Sequence, residues 1–188
     1  MPDARLSDRR RVAALHEMGL LTDTPEEAYD RFTRLVAAIV EAPIALFTVI
    51  TEDEQFFRSQ VGLPEPQATT RRTPLSHSFC QYVILSSAPL EVTDARVHPT
   101  VRGNPAIEEL QAIAYLGVPL ITRRGETLGS LCAIDHEPRE WTERDRSVLR
   151  DLAAATVTEV ELRRTTREAV QLAERLEAAL RGGKERTA

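Results

Sequence analysis

Two cysteines occur among the 188 residues, and each has a histidine near it in sequence: His77-x-x-Cys80 and Cys132-x-x-x-His136. Those residue types at those spacings admit three kinds of chemistry. A thiol one helical turn after an imidazole can act as a nucleophile, because a nearby cation or a helix N-terminus lowers a cysteine's pKa. Cys80 as attacking thiol and Cys132 as resolving thiol would then make a redox enzyme or a redox sensor. Two Cys and two His can also hold a metal. Positions 77 and 80 share one face of a helix, and 132 and 136 share one face of a strand. Against a metal, His136 falls past the expected strand end, and "HSFCQ" lacks the glycine or proline of a zinc knuckle. In the third reading both cysteines are small apolar side chains walling a binding pocket, as free cysteines commonly are.

The elements that must position these residues can be read in order. Residues 7–18 form a short charged helix ending before Gly19. Thr24 is placed to cap a helix over 25–41, with Pro25 at the first helical position and Glu27 three after the cap. Tyr29, Phe32, Leu35, Val36, Ile39 and Val40 recur at three- and four-residue steps, so they should form one buried face. "IALFTVI" (44–50) and "QFFRSQV" (55–61) read as strands, and the proline-rich 62–75 as a loop. Ser76 is placed to cap a short helix reaching Ser86. A brief strand at 90–94 leads into an irregular segment, 95–111, with one helical turn. Residues 114–135 carry a hairpin pattern around Arg123-Arg124-Gly125, the glycine supplying positive φ. Thr142 then caps a helix running to Leu180.

This order predicts an α+β fold: a central antiparallel sheet of about five to six strands, with N- and C-terminal helices on one face. Loops and short helices from 62–112 cover the other face, and an irregular cover of this kind is where a cavity is expected. In the last helix Val148, Leu152, Ala155, Leu162, Ala169, Ala173, Leu176 and Leu180 keep one four-three register, broken only by Glu159 and Thr166. A sustained heptad seam predicts pairing with a second helix, hence a homodimer.

Composition narrows the partners. The formal net charge of −5, with both signs interspersed, lacks the basic stripe of a nucleic-acid module. The N-terminal "MPDARLSDRRR" has no apolar signal core, and the longest apolar stretch, 35–50, is interrupted by Glu41 and Pro43. With two cysteines and no membrane span, the expected location is the cytoplasm.

Taken together, "PLSHSFCQYVI", "LEVTDARVHPTVRGNP", "AYLGVPL" and "LGSLCAIDHEPREWT" resemble the GAF domain, a sensory module. The resemblance covers about residues 20–160 and is to the subgroup found with diguanylate cyclases, histidine kinases and PP2C-type phosphatases. With the residue patterns on either side, it divides the chain into four segments: an N-terminal helix (1–19), the GAF domain (20–160), a coiled-coil extension (161–180) and a disordered tail (181–188). It also implies a pocket on the loop-covered sheet face, with Phe57, Ser78, Cys80, Asp94, His98, Tyr115, Ser130 and Cys132 as its ligand-binding residues. The residues keep blander alternatives. Ser130 can orient a ligand or bond a neighbouring carbonyl, and Asp94 can simply cap its own turn. Arg102 can pair with an anion or stay solvated. Gly117, Pro119 and Gly129 read as structural, marking close backbone approach or a bulge. No bilin is expected, since Cys80 is followed by Gln81 and 95–112 hold no cysteine. Haem would rest on His98 alone as axial ligand, and no metal is expected. One GAF subfamily reduces free methionine sulfoxide through cysteines in a glycine-rich segment that is absent here. The expectation is a non-enzymatic sensory domain that binds a small ligand, pairs through its terminal helices and informs a separate signalling partner. A ligand-free dimerisation module is the alternative, beside the thiol enzyme.

Overall fold

The first strand, β1 (Ile44–Ile50), is buried on both faces. Its period-two alternation sends Ala45, Phe47 and Val49 to one side of the sheet, and Ile44, Leu46 and Ile50 to the other. Around it run β2 (Glu54–Val61), β3 (Arg72–Pro74), β4 (Leu90–Val92), β5 (Ala114–Ile121) and β6 (Thr127–Asp135). The computed structural model describes residues 5–185 and pairs these strands antiparallel in the order β3-β2-β1-β6-β5-β4. The predicted α+β sheet with two differently covered faces is therefore present. β3 and the short helix α3 (Gln67–Thr70) occupy part of the stretch read as a loop.

Two bulges decide which side chains reach which face. Phe47 faces Ser59 while Thr48 faces Phe57, so Arg58 is an extra residue on β2. A bulged strand bends and turns successive side chains toward one side. Phe57 accordingly enters the loop-face core, while Arg58 and Ser59 both reach the helix face. On β6, Leu120 faces Gly129 and Ile121 faces Thr127, which leaves Leu128 as the extra residue. Period-two alternation over 128–134 would put Leu128, Ser130, Cys132 and Ile134 on one sheet face, and it breaks there. Leu128 packs in the helix-face core, opposite to Cys132 and Ile134. Gly129 is needed for close approach: a Cβ there would sit 1.9 Å from the Thr48 carbonyl oxygen.

The helix face is covered by α1 (Arg9–Glu17), α2 (Glu27–Val40) and the part of α6 (Glu143–Glu185) up to Val160. The α2 boundary differs from the expected one. The helix starts after Glu26 with no side-chain cap, and the Thr24 carbonyl accepts a hydrogen bond from Arg58 instead (2.8 Å). Tyr29, Val36 and Val40 are buried as expected, but Leu35 and Ile39 are more than a third exposed, and Thr33 takes a place in the core. Thr33 can sit there because its hydroxyl bonds Ser59 (2.8 Å). At the start of α6 the expected cap is present. Thr142 Oγ1 accepts from the Asp145 N–H (3.1 Å), and Asp145 Oδ2 accepts from the Thr142 N–H (2.9 Å). Trp141 just before it is buried and donates to the Val92 carbonyl on β4.

The loop face is covered by α3, a 3₁₀ turn (Leu75–His77), α4 (Cys80–Ser86) and α5 (Ala106–Glu109). Ser78 rather than Ser76 serves the start of α4, its Oγ accepting from the Gln81 N–H (3.0 Å). The hairpin turn between β5 and β6 carries Gly125 at φ +89°, as the turn requires.

Past Val160 the contacts of α6 with the body become ionic. Arg163 bonds Glu26, Arg164 pairs with Glu17, and Arg167 donates to the Met18 carbonyl. The helix spans about 65 Å at 1.5 Å per residue and continues beyond Leu180, where sequence reading ends it. The Leu180 side chain and residues 186–188 lie outside the described residues. Among the described residues no helix is long and apolar enough to cross a membrane.

Candidate functional site

The centre of the loop face is a polar cluster inside an apolar shell. Cys80, the first residue of α4, lies over the middle of β6, and its Sγ is 3.9 Å from Cys132 Sγ. The Tyr115 hydroxyl donates to Cys80 Sγ at 3.3 Å. Gly117 makes that possible: a Cβ there would fall 2.1 Å from the Tyr115 hydroxyl oxygen. Phe79 packs edge-on against the Tyr115 ring, with centroids 5.6 Å apart. Beside the thiols, Thr48 Oγ1 and Ser130 Oγ bond one another across β1 and β6 at 3.1 Å. All of these side chains are buried.

The electrostatics divide the two thiols. Burial pushes the Cys80 thiol up, but hydrogen bonds from Cys132, Ser130, Thr48 and Tyr115 outweigh it and bring Cys80 down to about 6. Cys132 moves the other way. Burial first, then its hydrogen bond and proximity to Cys80, hold it well above the usual thiol range. Burial likewise raises Tyr115, and the neighbouring sulfurs add to this. The pair thus has one sulfur suited to carry negative charge and one that keeps its proton.

A second polar set ties the cover to the sheet. Ser78 Oγ donates to Gln55 Oε1 on β2, whose Nε2 donates to Thr73 Oγ1 (3.2 Å). Asn104 and Gln81 donate to the Ser78 carbonyl. Sequence reading missed Thr48, Gln55 and Asn104. The signal available for Thr48 was a lone hydroxyl in the middle of an otherwise apolar strand.

The expected residues are not all gathered. Phe57, Ser78, Cys80, Tyr115, Ser130 and Cys132 meet under the cover. Asp94 and His98 do not. Asp94 caps its own turn, accepting from the Arg96 backbone N–H (3.1 Å) and pairing with its guanidinium (2.6 Å), which holds the carboxyl below its ordinary pKa. His98 Nδ1 accepts from the Thr100 N–H. His77 turns to Glu109 (3.0 Å) rather than to Cys80, so no base stands beside the thiol. His136 bonds the Gln111 carbonyl. The four residues of the metal reading therefore diverge. Among the described residues no group of three or more His, Cys, Asp and Glu side chains could hold a metal ion.

The expected hollow is nearly filled. A cavity of about 20 Å³ remains, walled by residues that include Phe57, His77, Phe79, Cys80 and Tyr115. That is room for about one water-sized molecule. Larger concavities, about 620 and 410 Å³, are open grooves along α6. One lies beside Gly19, Glu26 and Arg163; the other lies beside the β5–β6 turn at Arg123 and Arg124.

Comparison with known proteins agrees with this architecture. The chain is 35% identical over 161 residues to a cyclic di-GMP phosphodiesterase of Pseudomonas aeruginosa; the match covers 85% of the chain and 27% of that protein. The chain thus spans about a quarter of that curated relative. Among solved structures, the GAF domain of a phosphoenolpyruvate-protein phosphotransferase from Coxiella burnetii superposes with a TM-score of 0.63. It is 20% identical, covering 87% of this chain and 94% of that one. A free methionine-R-sulfoxide reductase from Neisseria meningitidis shares the fold at a TM-score of 0.60, with 16% identity over 85% of this chain and 95% of that one. The family profile described as GAF domain matches residues 24–160. The six-stranded sheet, its helix-covered and loop-covered faces and this match together place the chain in the GAF domain family.

Proposed function

We propose that the chain is the regulatory module of a signalling protein, pairing with a second copy through α6 and passing a change at the loop face to an effector domain or a separate partner. The carrying observation is the exposed apolar register of α6. Leu149, Ala153, Val157 and Val160 face the domain's own core. Leu162 and Leu176, two heptads apart, are each more than half exposed, with Ala169 exposed between them. A helix this long with an apolar seam turned to water is stabilised by covering that seam with a partner helix.

The path from loop face to α6 runs through the β2 bulge. Phe57 walls the small cavity. Its neighbour Arg58, on the opposite face, bonds Glu26, and Glu26 also holds Arg163 of α6. A small molecule entering under the cover must displace Phe57 or Phe79, and it biases α6 only through its different affinity for the closed and opened states. The 20 Å³ cavity favours a second reading, a dimerisation module whose interior stays filled.

Sedimentation of the chain truncated after Glu161 tests the pairing. Loss of the dimer is expected, and an unchanged dimer overturns it. Native mass spectrometry of the purified chain separates the two readings. A retained small molecule supports the sensor, and a ligand-free dimer supports the filled module.

A further inference from the structure

We propose that Cys80 and Cys132 form a built-in dithiol site that reacts with hydrogen peroxide and closes to a reversible intramolecular disulfide. This goes beyond the regulatory reading and does not depend on the pairing of α6. Three observations carry it. The chain's two cysteines, 52 positions apart in sequence, are brought to a sulfur–sulfur distance of 3.9 Å in the middle of one sheet face. The Tyr115 hydroxyl donates to Cys80 at 3.3 Å, the direction of hydrogen bond that stabilises charge on that sulfur. Finally, a small cavity under the cover has Cys80 in its wall, and half-buried His77 lines it as well.

The chemistry balances with hydrogen peroxide as the single oxidant. Cys80 sulfur attacks one peroxide oxygen as the O–O bond breaks. A bond forms between the Cys80 thiolate sulfur and that oxygen, and the other oxygen leaves as hydroxide, which takes a proton from solvent to become water. Cys80 is now a sulfenic acid, oxidised by two electrons, and the peroxide has been reduced by two. Cys132 sulfur then attacks Cys80 sulfur. The S–S bond forms, the S–O bond breaks, and hydroxide departs as water with the Cys132 proton. To reach bonding distance near 2.0 Å the sulfurs must approach by about 1.9 Å. Cys132 sits on a central strand paired on both sides, so the movement falls on Cys80 and the first turn of α4. That turn is fastened to β2 through Ser78 and Gln55, so disulfide closure pulls directly on the cover.

The test uses the full reduced chain. Protein is exposed to hydrogen peroxide, quenched with acid, unfolded in an alkylating reagent and mapped by mass spectrometry. The expected product is a crosslinked Cys80–Cys132 peptide lighter by two hydrogens, with both thiols lost together and restored by dithiothreitol. The rate should fall as pH drops below about 6, where Cys80 takes up its proton. In Cys132→Ser the reaction should stop at a sulfenic acid on Cys80 that dimedone traps. Three results overturn the proposal: both thiols still alkylated when free cysteine in the same tube is consumed, sulfinic acid without a crosslink, or disulfides only between chains. The mapping of the unaltered chain decides the matter even if a variant fails to fold.

Discussion

The two faces of the sheet both bury polar groups at their centres, but of opposite kinds. Under the loops the groups are small and uncharged apart from the Cys80 sulfur: a second thiol, a phenol and two hydroxyls, bonded to each other. Under the helices they are charged. Arg58 is fully buried against Tyr29, its guanidinium held by Glu26, which also holds Arg163. Arg58 Nε and the Tyr29 hydroxyl have no hydrogen-bond partner among the described residues. A hydroxyl can be lost from the loop-face cluster at the cost of about one hydrogen bond. Arg58 without Glu26 keeps its charge with only the Thr24 carbonyl and the Tyr29 ring to offset its burial. The loop face is therefore tolerant and the helix face brittle, although the loop face has the less regular cover.

The contrast can be broken most severely at Glu26. Glu26→Gln should cost about 3 kcal/mol in urea unfolding, the low end for an orphaned buried charge because Glu26 keeps some water contact. Adding Arg58→Met should recover most of that loss. A cost below about 1 kcal/mol for the single variant would place the two faces on an equal footing. Next in size, Gly117→Ala should cost about 2 kcal/mol, because the new methyl meets the Tyr115 hydroxyl. It should also alter the near-ultraviolet tyrosine circular dichroism. An unchanged spectrum would mean that the ring lies elsewhere. The smallest effect is expected for Ser130→Ala, about 1 kcal/mol. Thr48 Oγ1 keeps the Ser130 carbonyl as an acceptor at 3.4 Å. A loss as large as that of Glu26→Gln would erase the difference between the faces.

Much of this architecture was legible in local patterns. Apolar runs gave β1, β2 and the hairpin, and Gly125 marked the turn. Thr142 with Asp145 three residues on is a cap that needs no tertiary information. What was not legible depended on partners distant in sequence. Thr24 has the right side chain for a cap, yet Arg58, 34 positions away, takes its carbonyl, and the helix begins two residues later than expected. Leu128 follows the period-two pattern on paper, and only the mismatch between β5 and β6 turns it around. Of the site, the cysteines stand out by type and Ser130 as a lone hydroxyl among apolar neighbours, while Tyr115 was nominated through the family resemblance. Gln55 and Asn104 could not, since they matter through bonds made across the fold. Whether a hollow remains under the cover is set by how Phe57, Phe79 and Tyr115 interlock, which no linear pattern encodes.

One consequence of α6 concerns leverage. Its contacts with the body reach Arg167, and about 27 Å of helix follow before Glu185, at 1.5 Å per residue. Pivoting there by about 10° would carry the far tip sideways by about 5 Å, close to the helix pitch of about 5.4 Å. An adjustment too small to disturb the sheet is thus magnified, at the distal end, into a step wide enough to exchange one set of neighbours for another.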